Sequence, residues 1–389
     1  MSESSSDRVG PGNRLEAPRP KVLASITDQH VLAAVGDVRQ PISRAEIAEV
    51  TGLSKPAVST AAARLLERGV LRNVGVREGR RGGVATLFEL NPHHGRSLAI
   101  VIQGDAIAVQ VQDLHGVVRA DLEAAVSSEC RPEEIIGMTN RLIADAKGAF
   151  EAPLLAAAVS IADPVDAASG EPVVLDRSVF PAAAISPSSD LALSDAARIV
   201  VDNDVNWATV GEYQHGVLRG CDDFVYVYIG QGLGAGLMLD GRLFRGHRGF
   251  AGEVGYLRDG SDPEMDITQK FASLGLGTTD RYGIDVARAS SLLGTSPLSD
   301  AANAAADVIA IAVANVAIVV NPSAIAFGGP LSAFPAFTDA LKERISSLTI
   351  DPAQFVISET TPMSGAGLEA HRLALEEAGL PQSRKKLLE

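Results

Sequence analysis

The sequence predicts an α/β protein in two parts, an N-terminal winged helix-turn-helix followed by a larger body of two similar α/β lobes. Three observations carry this. Residues 1–92 hold 13 Lys+Arg against 10 Asp+Glu, while the remainder holds 21 against 38. A mildly basic head on a strongly acidic body suggests a division of labour, because only the head can approach a polyanion. Within the head, two capped helices are joined by a glycine turn and followed by a hairpin pattern. Within the body, the strand–glycine–strand plan of Leu98–Gly116 recurs at Phe224–Arg242, 126 residues later.

Composition narrows the class. The 389 residues suffice for two or three domains, and 46% hydrophobic with 21% charged residues fits a globular chain. Two cysteines, Cys130 and Cys221, exclude a disulfide framework and a four-thiolate zinc site, so a reducing cytoplasm is the expected location. Residues 1–20 lack the apolar core of an export signal and read as a flexible tail. The most apolar stretch, Ile309 to Val320, is too short to span a bilayer, and Ala301 to Val320 is expected to be a buried helix.

Thr27 to Val38 places Val31, Leu32 and Val35 on one helical face, with Thr27 or Asp28 as its cap. Ser43 and Glu46 form a capping-box pattern ahead of a second helix, with Ile47, Ala48 and Val50 facing inward and Gly52 ending it. Ser54 opens a third helix that tolerates Pro56 in its first turn, where the missing N–H has no helical partner. Val58, Ala62, Leu65 and Leu66 face inward there, leaving Ser54, Lys55, Ser59, Thr60 and Arg64 outside. Short polar side chains on an exposed second helix suit entry into a DNA major groove, with Lys55 and Arg64 reaching phosphates or guanine edges. Asn73 to Leu90 reads as a wing hairpin whose tip carries Arg80 and Arg81, placed for phosphate or a minor groove. The alternative is a helical hairpin packed on the body with both arginines merely solvated.

In the body, the stretches VDNDVNWATVGE (201–212), GQGLGAGLMLDGRLFRGHRGFAGEVGY (230–256) and NPSAIAFGGPLS (321–332) resemble the ROK family of sugar kinases and repressors. With the helix-turn-helix ahead of them, the resemblance is to the repressor branch and covers about residues 25–375. It implies an actin-like, two-lobed body of the sugar kinase/Hsp70/actin type that senses a carbohydrate, and a dimer or higher oligomer. The expected organisation is a tail at 1–20, a winged helix-turn-helix at 21–92, a small lobe at 95–200, a large lobe at 201–362, and a C-terminal helix at 363–389 returning to the small lobe.

The chain departs from the kinase pattern where ATP phosphates bind. Val101, Ile102, Gln103, Gly104 and Asp105 stand in place of the family's Asp-x-Gly-Gly-Thr turn, so one glycine remains and a carboxylate sits where phosphate belongs. Gly230-Gln231-Gly232-Leu233-Gly234 survives, though tight turns and lobe packing need glycine there too. The resemblance carries the family's base onto Asp204 and sugar contacts onto Asn203 and Glu253; Asn203 and Asp204 could equally brace the lobe junction. Tyr256 stands for the family's zinc-and-sugar histidine, Gln269 for a sugar-binding glutamate, and Ser178-Val179 for a Pro-Asn pair. The zinc loop is missing.

No metal, no cofactor and no enzyme activity are therefore expected. The expected function is a DNA-binding repressor acting on an inverted-repeat operator as a homodimer, with a sugar-type effector at Asn203, Asp204, Glu253, Tyr256 and Gln269. The alternatives are an ATP-dependent sugar kinase with an appended DNA-binding domain, or a regulator whose body only dimerises or docks another protein.

Overall fold

The computed structural model describes residues 20–38, 40–78, 84–127, 129–175, 185–278, 282–351 and 353–380. The chain divides into two units: Met1–Asn91 with Gly379–Pro381, and Pro92–Ala378 with Gln382–Glu389.

The first unit comprises α1 (Pro20–Gly36), β1 (Ile42–Ser43), α2 (Arg44–Thr51), α3 (Lys55–Glu67), β2 (Leu71–Glu78) and β3 (Val84–Leu90). Its three strands form an antiparallel sheet in the order β1-β3-β2. The capping box starts α2: Glu46 N donates to Ser43 Oγ at 3.3 Å, and Ser43 N donates to Glu46 Oε2 at 2.8 Å. Gly52 closes α2 in the left-handed conformation (φ 69°). Val31, Leu32, Ile47, Val58, Leu65 and Phe88 are buried together in this unit. Two sequence expectations are corrected. Thr27 and Asp28 lie inside α1 rather than capping it, and Val50 is 67% exposed in the last turn of the short α2.

The second unit runs through β4 (Arg96–Ile102), β5 (Ala106–Asp113), β6 (Val118–Ala125), α4 (Pro132–Ala149), β7 (Leu154–Ile161), β8 (Val165–Asp166), β9 (Glu171–Pro172), α5 (Pro187–Asp190) and β10 (Arg198–Asn203). It continues with α6 (Asp204–His215), β11 (Phe224–Ile229), β12 (Leu233–Leu239), β13 (Arg242–Phe244), α7 (Ile267–Ser273), α8 (Val286–Leu293), α9 (Asp300–Val320), β14 (Ala324–Gly328), α10 (Pro335–Leu348), β15 (Gln354–Ile357) and α11 (Pro362–Glu377).

Its two large sheets share one plan. The orders are β10-β7-β4-β5-β6 and β13-β12-β11-β14-β15. In each, an antiparallel meander of three strands is extended by two strands parallel to the first. The faint repeat between Leu98–Gly116 and Phe224–Arg242 is thus the opening hairpin of each lobe.

Helices α6 and α11 pack against each other, and α11 also covers β4 and β7. The crossing needs glycine: a Cβ on Gly365 would fall 1.8 Å from the Trp207 carbonyl oxygen. Helix α9 is long and apolar enough to cross a membrane by length and composition. Its Ala302, Ala305, Ile309, Val313 and Ala317 instead join the core of the second lobe with Phe327 and Leu341. The expectation of burial fails at its last turn, where Ile318 and Val319 are 50% and 82% exposed because the core ends before the helix does.

Candidate nucleic-acid interface and ligand cleft

In the first unit, α3 buries Val58, Ala61, Ala62 and Leu65 and leaves Lys55, Ser59, Thr60 and Ala63 exposed on the opposite face. Ala63 extends the face that the sequence reading assigned; the three- and four-residue spacing from Ser59 and Thr60 was the available signal. Ser54 is the N-cap, its Oγ accepting from Ala57 N at 3.4 Å, so one acceptor position is used by the helix. The Thr60 hydroxyl donates back to Pro56 O at 3.0 Å, which leaves its methyl group for apolar contact.

Arg64 requires a correction. Its Nε and Nη2 donate to Asp28 Oδ1 at 3.2 and 2.5 Å, tying α3 to α1. Asp28 is 8% exposed, so the pair is a structural clamp and not a free cation for DNA. No sequence pattern flags a pair 36 residues apart. Arg64→Ala is expected to cost the winged helix about 1–2 kcal/mol, because it takes the close partner from a mostly buried carboxylate and leaves it the more distant Arg68, 4.0 Å away. The measurement is amide hydrogen exchange: protection in α1 and α3 should fall, with unchanged protection contradicting the clamp. Arg80 and Arg81 lie outside the described residues.

In the second unit, a cleft of about 320 Å³ opens between the two lobes. Asn203, Asp204, Glu253 and Tyr256 all line it. The end of β10 and the start of α6 deliver the first two. Asn203 caps α6, its Oδ1 accepting from Val205 N and Asn206 N at 2.9 and 3.4 Å, while its Nδ2 donates to Asp163 O at 3.2 Å. Both ends of this amide thus hold backbone, so Asn203 braces the start of α6 while it lines the cleft.

Asp204 is buried, and Gln103 Nε2 reaches its Oδ2 at 3.5 Å. Desolvation pushes its pKa up to about 6, partly opposed by hydrogen bonds from Val205 and Gln103. Glu253 is raised to about 7 by desolvation, then by the charges of Asp204 and Asp163. Gln269 does not line the cleft. It closes a capping box on α7, its N donating to Asp266 Oδ1 at 2.8 Å and its Oε1 accepting from Asp266 N at 3.0 Å. The Asp266-x-x-Gln269 spacing is that of a capping box, and the resemblance overrode it. Thr268 and Tyr282 line the cleft instead, and Tyr282 stacks on Tyr256 with ring centroids 5.6 Å apart.

The turn between β4 and β5 explains what became of the phosphate position. Gln103 spans to Asp204, Asp105 faces the cleft, and the Gln231 side chain lies over Gly104, its Oε1 2.5 Å from where a Cβ would stand. Survival of Gly234 has a packing reason, since a Cβ there would sit 2.9 Å from Val205 Cγ2. Where the zinc loop would follow, the buried Lys270 ammonium holds Asp259 and Ser261. Among the described residues, no three His, Cys, Asp or Glu side chains are grouped to hold a metal. Ser178 and Val179 lie outside the described residues.

Comparisons with known proteins agree with this layout. The ROK family matches residues 97–264, and the MarR family matches residues 27–82. The xylose repressor of Caldicellulosiruptor bescii is 24% identical over 84% of this chain and 88% of its own length. The xylose repressor of Bacillus subtilis is 25% identical, and the chain spans only 56% of that relative's length in the match. A solved ROK family transcriptional regulator, described as a homolog of the E. coli MLC protein, superposes with TM-score 0.63 at 20% identity, covering 92% of this chain and 99% of its own. A ROK family glucokinase from Streptomyces griseus, in complex with glucose and AMPPNP, gives 0.54 at 23%, covering 72% and 100%. At these identities the structural likeness shows the fold alone, a two-lobed α/β body like that of these ROK proteins.

Proposed function

We propose that this chain, a ROK-family protein with a MarR-type winged helix ahead of its ROK domain, is a transcriptional repressor without kinase activity. It binds an inverted-repeat operator as a homodimer in the cytoplasm, and a polyol or sugar-type ligand in the cleft changes its affinity for DNA. The observation that carries this reading is the capped helix pair whose α3 leaves Lys55, Ser59, Thr60 and Ala63 outward. Two copies related by a two-fold axis would present two such helices to symmetric half-sites.

The kinase alternative is disfavoured by the β4–β5 turn. Gln103 is hydrogen-bonded to the residue at the family's base position, and Asp105 faces the space where ATP phosphates would bind. Two negative groups at contact distance in a partly enclosed site repel by several kcal/mol. The full chain is expected to retain specific fragments from a random DNA library and to transfer no phosphate from ATP to any hexose. Absence of selected DNA, or hexose phosphorylation abolished by Asp204→Asn, would overturn the reading.

A further inference from the structure

Arg44 is the first residue of α2, directly after the Ser43 cap. Three features of this position oppose stability. A cation at a helix N-terminus faces the positive end of the backbone dipole. The Arg44 Nε is buried with no hydrogen-bond partner among the described residues. The guanidinium also has no carboxylate partner among them, whereas the other described arginines of this unit are all paired: Arg64 and Arg68 with Asp28, Arg72 with Glu89, Arg77 with Glu46. The undescribed positions within residues 20–91, Arg39 and Gly79-Arg80-Arg81-Gly82-Gly83, add no carboxylate. What holds the side chain is an aromatic face. Its Cζ lies 4.9 Å from the ring centroid of Phe88, which is buried on β3.

We propose that Arg44 binds a backbone phosphate of DNA, a sequence-independent contact at the start of α2. The inference rests on the reading of the winged helix as the DNA-binding unit and adds a contact outside α3 and the wing tip. A phosphate supplies the anion that this arginine lacks within the unit. The side chain is half-buried, and a guanidinium with N–H groups open to solvent fits two phosphate oxygens through parallel hydrogen bonds. Stacking on Phe88 orients the fork before DNA arrives, so little rotamer freedom is left to lose. The location suits the same contact. Arg77 on the wing strand β2 donates to Glu46 Oε1 at 2.7 Å and to Pro41 O at 3.1 Å, which sets the base of the wing against the start of α2. With α3 in a major groove and the wing at the neighbouring minor groove, the DNA strand between the two grooves borders this junction.

The test is quantitative mobility shift of the full chain at two salt concentrations, on a fragment selected from a random library and on an unrelated duplex of equal length. Arg44→Met keeps an apolar cover on Phe88 and removes the charge. It is expected to weaken both DNAs by the same factor, about tenfold, and to lower the salt slope of binding by about one. Arg44→Lys keeps a point charge without the fork, so it should retain the slope and lose only part of the affinity. Amide hydrogen exchange in α2 and β3 should show no loss of protection in either variant. Undiminished affinity of Arg44→Met, a loss confined to the selected fragment, or a loss with an unchanged salt slope would overturn the inference and reduce Arg44 to a cover for Phe88. Wild-type binding in the same assay keeps the repressor reading standing in each of those cases. Failure of the wild-type chain to bind either DNA would overturn both.

Discussion

Replacing Lys55, Ser59 and Thr60 together with alanine is expected to weaken operator binding by about a hundredfold, since each good base or phosphate contact is worth about 1–3 kcal/mol. The three side chains share the exposed face of α3, and none contributes to the buried face formed by Val58, Ala62 and Leu65. Stability should therefore hold while affinity falls. Lys55 and the two hydroxyl residues separate by salt. Lys55→Ala alone should weaken all DNA sequences alike and flatten the salt dependence of binding by about one counterion. Ser59→Ala or Thr60→Ala should change the preferred base at single positions, with little effect on the salt slope. Quantitative mobility shift at two salt concentrations makes the distinction. A triple variant with undiminished operator affinity would remove α3 from the interface.

What could be read from the sequence follows the range of the forces involved. The capping box at Ser43 and Glu46, the glycine stop at Gly52 and the inward face of α3 are local, set by spacings of a few residues. The duplicated lobes showed only as two hairpins, because the identical strand order of the two sheets depends on long crossovers that leave no periodic trace. The cleft was legible at Asn203, Asp204, Glu253 and Tyr256 through resemblance. It was misread at Gln269, where a helix cap competed for the same side chain. Arg64 was misread for a different reason. Exposure was inferred from helical phase, whereas its partner Asp28 is brought in by the packing of α1 on α3. The contribution of Asp163 was invisible, because only folding places its carboxylate beside that of Glu253.

The body is expected to lose stability as pH rises from 5 to 8, and Glu253→Gln to recover much of that loss. The sign follows from the raised carboxyl groups. Asp204 and Glu253 hold their protons in the folded chain up to about pH 6 and about pH 7, whereas in the unfolded chain they release them near the ordinary values of 3.8 and 4.5. Below those lower values both states are protonated and the folded form carries no charge penalty. Between them and pH 7 the unfolded chain ionises first, so stability falls, and it levels off once the folded groups have also ionised. A displacement of that size corresponds to about 3 kcal/mol. Glu253 lies on a cleft open to solvent, which screens part of its share, so Glu253→Gln should gain about 1–2 kcal/mol at pH 8 and close to nothing at pH 4. Asp204→Asn should act in the same direction, offset by any loss in its contact with Gln103. Trp207 is the sole tryptophan of the chain and is fully buried in α6, so its fluorescence during urea unfolding reports this unit alone. Equal gains at both pH values would mean that Glu253→Gln acts through packing and not charge. A net loss at pH 8 would mean that the Glu253 carboxylate is stabilised by a cation in the folded chain.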